Sequence, residues 1–406
     1  MNPQAGNVVQ ELDNFMANVQ RQMPGETEYK AMLKAQGFFL LIILPKEAAS
    51  LKAAIKHWGD VLRGIPTQCV REDKISKYEN GNNRGGSSQY WNNVILKINS
   101  RLGGENSRIA GSGTIDYLAK KGKVTMFVGS DVSHPGPGVR KPSVASLVYN
   151  QDQLGIKYTA ITRLQDPRLE VMADLEDMFH DALLDLIGIA HGPVTDIIFY
   201  RDGVSEGEYD DIRNAEIGAI ERAIEKVWLT HEKIKAGKFE RPRLSFIVVG
   251  KRHHTLLFPG SQQLGDQKGN CKAGVVVDRD INQPLITDFY LQSHSGIIGT
   301  SRSSHYIVLK NEVFNNDTKA LQEISFALCH VYAKATRSVS IPAPVYYADL
   351  ACGRGTFHYA PSVEESLRSQ DSESVSSGMN APFDITPWQE AFQARHPQLK
   401  GNMYFL

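Results

Sequence analysis

The sequence predicts an α/β protein in two parts, and three observations predict it. Short apolar runs alternate with amphipathic helical stretches along the chain. A strand, a helix and a strand follow one another over residues 38–70. Beyond residue 109 the order is three strands, a helix, a strand, a helix and a strand. With 406 residues, 41% of them hydrophobic and 22% charged, the chain can build more than one core.

Residues 1–34 are polar and helical in pattern, and "FFLLIILP" after them predicts a buried strand closed by Pro45. The stretch 47–62 predicts a helix with Glu47 in its first turn, and "IPTQCV" (65–70) a second strand, which completes a βαβ unit. "GNNRGGSS" (81–88) reads as a loop, and 90–104 as a helix stopped by Gly103 and Gly104. In the second part, 124–131, 143–150 and 156–164 read as an antiparallel meander. A helix over 171–190 returns the chain into strand 196–203, parallel to the first of those strands. A helix near 209–231 and strand 243–250 complete the element order of the ribonuclease H-like fold. Residues 362–382 are Ser/Glu-rich and are expected to be a disordered loop.

Lys and Arg number 45 and so do Asp and Glu, which excludes a chain that coats nucleic acid by bulk charge. Local charge is uneven, since residues 1–108 hold 14 Lys or Arg against 10 Asp or Glu. Cys69, Cys271, Cys329 and Cys352 have neither paired nor metal-ligand spacing, so a reducing, cytoplasmic setting is expected. The longest apolar run, "FFLLIIL", is too short to span a bilayer, so no membrane partner is expected.

"IIFYRDG" sets Asp202 at the tip of a hydrophobic strand against a glycine turn, a rigid and solvent-open platform. "TMFVGSDVSHPG" repeats the arrangement at Asp131. Glu170 closes "RLQDPRLE" just before a helix, and Asp349 follows the apolar "PAPVYY". An aspartate at a strand end is more often a turn or cap residue. Two on neighbouring parallel strands repel one another and call for cations between them. Two divalent ions there would serve an in-line phosphoryl displacement. The pattern alone reaches a two-metal nuclease and leaves the membership of Glu170 and Asp349 open.

Six stretches resemble, in order, the Argonaute family: "GSDVSHP", "FYRDGVSEGEY", "KRHHTLLF", "QSHSGIIGTSRSSHY", "TRSVSIPAPVYYADL" and the terminal "MYFL". The likeness is to eukaryotic members, the fungal quelling type in particular, and covers only their MID and PIWI half. It implies a Rossmann-like MID domain over residues 1–108 and a ribonuclease H-like PIWI domain over 109–406. The implied function is RNA silencing directed by a small guide RNA, with cleavage of the complementary target RNA and further silencing proteins as partners. The alternative is a guide-binding module that does not cut and acts through recruited partners. The implied catalytic tetrad is Asp131, Glu170, Asp202 and Asp349, with Asp131, Asp202 and Asp349 as ligands of two Mg²⁺ ions, for which Mn²⁺ can substitute.

Lys52 and Lys56 stand at i and i+4, as do Lys97 and Arg101, a repulsive spacing unless an anion is shared or the faces are simply solvated. By the resemblance, Lys56, Gln68, Lys97 and Arg101 hold the guide 5′-phosphate, with Arg354 and the carboxylate of Leu406 beside them. Lys52, also assigned to this pocket, departs from the family, which usually carries a Tyr there to stack on the first base. Lys251, Arg252, His254, Arg302, Lys334, Arg337 and Tyr346 lie in stretches that contact the guide backbone in similar proteins. Such contacts position a strand without reading its sequence.

Overall fold

The computed structural model describes residues 5–35, 37–79, 84–109, 113, 120, 122–296, 298–376 and 383–406. Helices Ala5–Gln22 and Glu26–Lys34 lead into β1 (Leu40–Leu44). Helix Ala49–His57 runs on as a π-turn over Trp58–Arg63 and ends at Gly64, whose φ is +66°. β2 (Thr67–Arg71) then pairs parallel with β1, Leu40 opposite Thr67, so the expected βαβ unit is present.

Two expectations in this part need correction. β1 is not buried throughout, because Leu41 and Ile43 are 50% and 61% exposed. With only two strands in this sheet among the described residues, its helices cover one face, where Ile42 and Leu44 pack with Val8, Leu12 and Ile55. The third long helix begins at Arg84, six residues before the expected Tyr90. Each glycine inside it costs about 1 kcal/mol relative to Ala, so composition alone does not announce a helix there. Residues 81–83 lie outside the described residues.

The second part is built on an eight-stranded sheet in the order β5-β4-β3-β6-β7-β10-β9-β8. Its strands are β3 (Thr125–Ser133), β4 (Ser143–Asn150), β5 (Tyr158–Gln165), β6 (Asp196–Asp202), β7 (Arg243–Gly250), β8 (Val275–Val277), β9 (Thr287–Gln292) and β10 (Ser304–Asn311). β3, β4 and β5 form the antiparallel meander, and β6 lies parallel between β3 and β7. Both faces are covered, so alternate residues of a central strand enter different cores. Met126, Val128, Ile197 and Phe199 pack against helices Leu175–Ala190 and Gly218–Thr230. Phe127, Ile198 and Tyr200 pack with residues of helices Thr318–Leu328 and Ala343–Gly355.

Gly129 allows the last of these helices to lie directly on β3. A Cβ at that position would stand 2.1 Å from the Pro344 carbonyl oxygen, a contact only backbone movement can relieve. Gly129→Ala is therefore expected to lower stability by about 1–3 kcal/mol, the range for overpacking, and to disturb both strand and helix. Chemical denaturation of the purified variant measures this.

The Ser/Glu-rich stretch is helical over Pro361–Ser376, not a loop. Proline suits the first helical position, and Glu, Leu, Arg and Gln are good helix formers, which a reading by composition passes over. Lys141 pairs with Glu364, and Leu367 packs against the Val144, Leu164, Tyr359 and Trp388 cluster. Residues 377–382 lie outside the described residues. Among the described residues no helix is long and apolar enough to cross a membrane.

Candidate active site and nucleic-acid interface

Ser130 of β3 lies opposite Arg201 of β6, so the next residues, Asp131 and Asp202, stand level on neighbouring parallel strands. Asp349 comes from the middle of helix Ala343–Gly355, which crosses β3. Cys352 ties that helix to the strands by donating to Asp131 O at 3.3 Å and Val144 O at 3.1 Å. Burial, and then the neighbouring charge of Asp131, push the Asp202 carboxyl up to about 7. Burial also raises Asp131; Arg201 opposes this, and Asp349 and Glu170 add to it. Asp131 and Asp202 thus share one field that Arg201 and Lys251 offset only in part.

Glu170 is held differently. Arg201 Nη2 donates to its Oε1 at 2.9 Å and to its backbone oxygen at 2.7 Å, and His134 Nε2 stands 2.8 Å from its Oε2. Arg201 is fully buried, and its Nε reaches Glu216 Oε1 at 3.3 Å. Burial works against the Arg201 charge, yet Glu216, Glu170 and Asp131 outweigh it and raise its pKa. Sequence reasoning missed Arg201, His134 and Glu216 as parts of the site. The available signal was Arg201 itself, an unspaced cation closing a buried apolar run.

Removing the Glu170 carboxylate leaves the buried Arg201 with Glu216 as its remaining close ion-pair partner among the described residues. Glu170→Ala is thus expected to cost about 1–3 kcal/mol, contrary to the small cost a loop carboxylate suggests. Glu170→Gln keeps an acceptor for Arg201 and should recover most of that loss. Thermal unfolding of the two variants separates a structural from a chemical defect.

Among the described residues no three His, Cys, Asp or Glu groups are placed closely enough to hold a metal ion. The donor chemistry nevertheless fits a hard divalent cation: Asp131, Asp202 and Asp349 offer carboxylate oxygens only.

The cationic pocket lies where the two parts of the chain meet. Lys56 Nζ donates to Thr67 O at 2.6 Å and Thr67 Oγ1 at 2.7 Å, at 2% exposure. Arg101, 3% exposed, donates from Nη1 to Thr67 O at 2.9 Å and to Gln68 Oε1 at 2.6 Å. Its Nε has no hydrogen-bond partner among the described residues. Burial, then Arg354 and Arg101, depress Lys56 well below the usual lysine range; burial and Arg354 bring Arg101 down to about 9. Burial and Arg101 lower Lys97. Arg354 is the exception, paired with buried Asp60 at 2.5 and 3.3 Å.

Leu406 is buried nearby, and Asn402 Nδ2 donates to Arg101 O. Among the described residues no ion pair reaches the Leu406 carboxylate. Lys334, expected on the guide backbone, feels the charge of this pocket: burial, Lys97 and Arg101 push it down to about 8, with Asp349 opposing. Lys251 lies 4.3 Å from the Tyr346 ring centroid and close enough to Asp202 to oppose its rise. Arg252, His254, Arg302 and Arg337 are exposed.

Fold and site together define a ribonuclease H-like α/β protein in which strand-end carboxylates adjoin a buried cationic pocket. The Piwi domain family matches residues 39–360. The chain belongs to the Argonaute family through this Piwi domain. It is similar to the C-terminal lobe of a budding yeast Argonaute, at 26% identity and a TM-score of 0.75 over 94% of this chain and 73% of that one. The structure of Kluyveromyces polysporus Argonaute with a guide RNA matches all of this chain at 25% identity and a TM-score of 0.76. This chain spans 50% of that protein's length. The N. crassa QDE-2 MID-PIWI domains share the fold at 20% identity and a TM-score of 0.57, over 100% of this chain and 94% of that one.

Proposed function

We propose that the chain binds the 5′-phosphorylated end of a small guide RNA and cleaves the complementary target RNA, as part of cytoplasmic RNA silencing. One observation carries the reading. Helix Ala343–Gly355 bears Asp349, beside a partly compensated group of carboxylates, and Arg354, beside a partly compensated group of cations. Burial and like charge outweigh the counter-charges at both ends, as expected of a site awaiting metal ions next to a site awaiting phosphate. K. polysporus Argonaute, solved with a guide RNA, supports the assignment by similarity. The division at residue 108 and the fungal quelling affiliation belong to the same proposal, the latter supported by the sequence motifs.

In this reading Lys56, Gln68, Lys97 and Arg101 fix the guide phosphate, and Arg354 joins the pocket while Asp60 orients its guanidinium. Lys334 and Lys251 lead the strand from the pocket towards the carboxylates, and exposed Arg252, His254, Arg302 and Arg337 receive further phosphates. Two divalent ions, Mg²⁺ or Mn²⁺, held by Asp131, Asp202 and Asp349, would supply an activated water and stabilise the leaving oxygen. Glu170, kept in place by Arg201 and His134, is the fourth carboxylate of the site. Labelled target RNA incubated with the protein and a 5′-phosphorylated guide should be cut in Mg²⁺ and left intact in chelator. Cutting in chelator, or with a guide of unrelated sequence, overturns the proposal.

The second reading, a guide-binding module that recruits partner proteins without cutting, is favoured by the clamp on Glu170 and the loose spacing of the other carboxylates. Intact target under the same conditions, with tight guide binding, selects it.

A further inference from the structure

Strand β5 ends the eight-stranded sheet, and among the described residues no strand pairs with its outer edge. The backbone oxygens of Ala160 and Thr162 on that edge accept from side chains instead, from Arg395 Nε at 3.2 Å and from Arg163 Nη1 at 3.1 Å. Carbonyls two residues apart that face outwards together are what an edge strand leaves open for another to join. The edge borders a cavity of about 720 Å³, walled by helix Leu175–Ala190 and by the stretch from Ala394 to Tyr404.

The two walls belong to opposite faces of the sheet. Leu184 of the helix packs against the core of Met126 and Phe199, whereas Tyr404 lies in the core of Phe127 and Tyr200. Ile189, 40% exposed, extends the apolar wall. The other wall is polar. Tyr404 is 1% exposed, and its hydroxyl has no hydrogen-bond partner among the described residues, which is unusual for a buried phenol. Burial raises that phenol, and the nearby Arg395 charge opposes the rise. The cations of the cavity differ in their pairing. Lys400 Nζ lies 2.5 Å from Asp185 and Arg163 3.9 Å from Asp181, but no carboxylate pairs with Arg395 among the described residues.

We infer that this cavity is a docking site for a partner protein, which adds a short extended segment to the β5 edge and brings an acidic side chain to Arg395. Main-chain pairing with β5 sets the register, and successive side chains of the added strand point to opposite sides. Apolar side chains on one side meet Leu184 and Ile189. The carboxylate on the other side pairs with Arg395 and accepts from the Tyr404 hydroxyl. Arg395 can serve both roles, because Nε on Ala160 O leaves its Nη groups for a carboxylate. The inference stands whether or not the chain binds a guide or cuts a target.

The test uses the whole chain and a fluorescent peptide, acetyl-Thr-Val-Glu-Val-Thr-amide, followed by polarisation. Companion peptides carry Gln or Lys in place of Glu, or methyl groups on alternate amide nitrogens. The wild type should bind the Glu peptide saturably, the Gln peptide roughly tenfold more weakly, as for one lost charge-assisted contact, and the methylated peptide hardly at all. Arg395→Gln, which keeps a donor for Ala160 O, should weaken the Glu peptide by a similar factor and leave the Gln peptide unchanged. Arg395→Glu should reverse the preference and take the Lys peptide over the Glu peptide, a result that damage to the fold does not give. Absence of saturable binding at millimolar peptide would show that Arg395 only guards an unused edge. Equal affinity for the Glu and Gln peptides, or binding indifferent to methylation, also overturns the inference.

Discussion

Asp131→Ala and Asp202→Ala should each lose target cleavage by about two to three orders of magnitude or more, the range for removing one group that stabilises charge in a transition state. Guide binding should stay nearly unchanged in both. The two carboxylates stand level on β3 and β6, and no hydrogen bond joins either to a pocket residue among the described residues. The same substitutions remove like charge from a buried group, so the metal-free variants should unfold no more easily than the wild type. Single-turnover cleavage and guide affinity are measured on the same preparations. Near wild-type cleavage by either variant removes the carboxylates from the chemistry.

Lys56→Ala and Lys97→Ala are expected to weaken binding of 5′-phosphorylated RNA by about 1.5–3 kcal/mol, roughly 10- to 150-fold, as for a lost hydrogen bond to a charged group. Binding of the 5′-hydroxyl RNA should change far less. Lys56 has the larger structural risk because its ammonium also serves Thr67 O and Thr67 Oγ1. Lys97, on helix Arg84–Arg101 and less deeply buried, is the cleaner probe. Both effects should shrink as salt rises, since exposed parts of the interaction are screened over about 8–10 Å. Equal losses for the two RNAs would reduce these lysines to general attraction.

What the sequence made legible was local. The apolar runs ending at Asp131 and Asp202 announced two strands on one sheet, and their parallel register follows from the helix between them. The basic pairs at i and i+4 announced two cationic helix faces. Long-range partnerships were not legible. Asp60 meets Arg354 across most of the chain, and Glu216 meets Arg201 only because a helix returns over the sheet. The exposure of Leu41 and Ile43 depends on how many strands the first sheet holds, which no single run states. The helix over Pro361–Ser376 was hidden because its polar residues resemble a solvated tail by composition, while their helix propensity points the other way.

Helix Ala343–Gly355 fixes the spacing between pocket and carboxylates, because Arg354 and Asp349 ride on it together. A guide anchored by its 5′-phosphate should then direct the cut to a set distance from its own 5′ end. The most direct measurement is the cleavage position on one labelled target, with a series of guides whose 5′ ends advance along it by single nucleotides. The account predicts a single cut that moves by one nucleotide with each guide. A cut that stays at one target position whichever guide is loaded would contradict it.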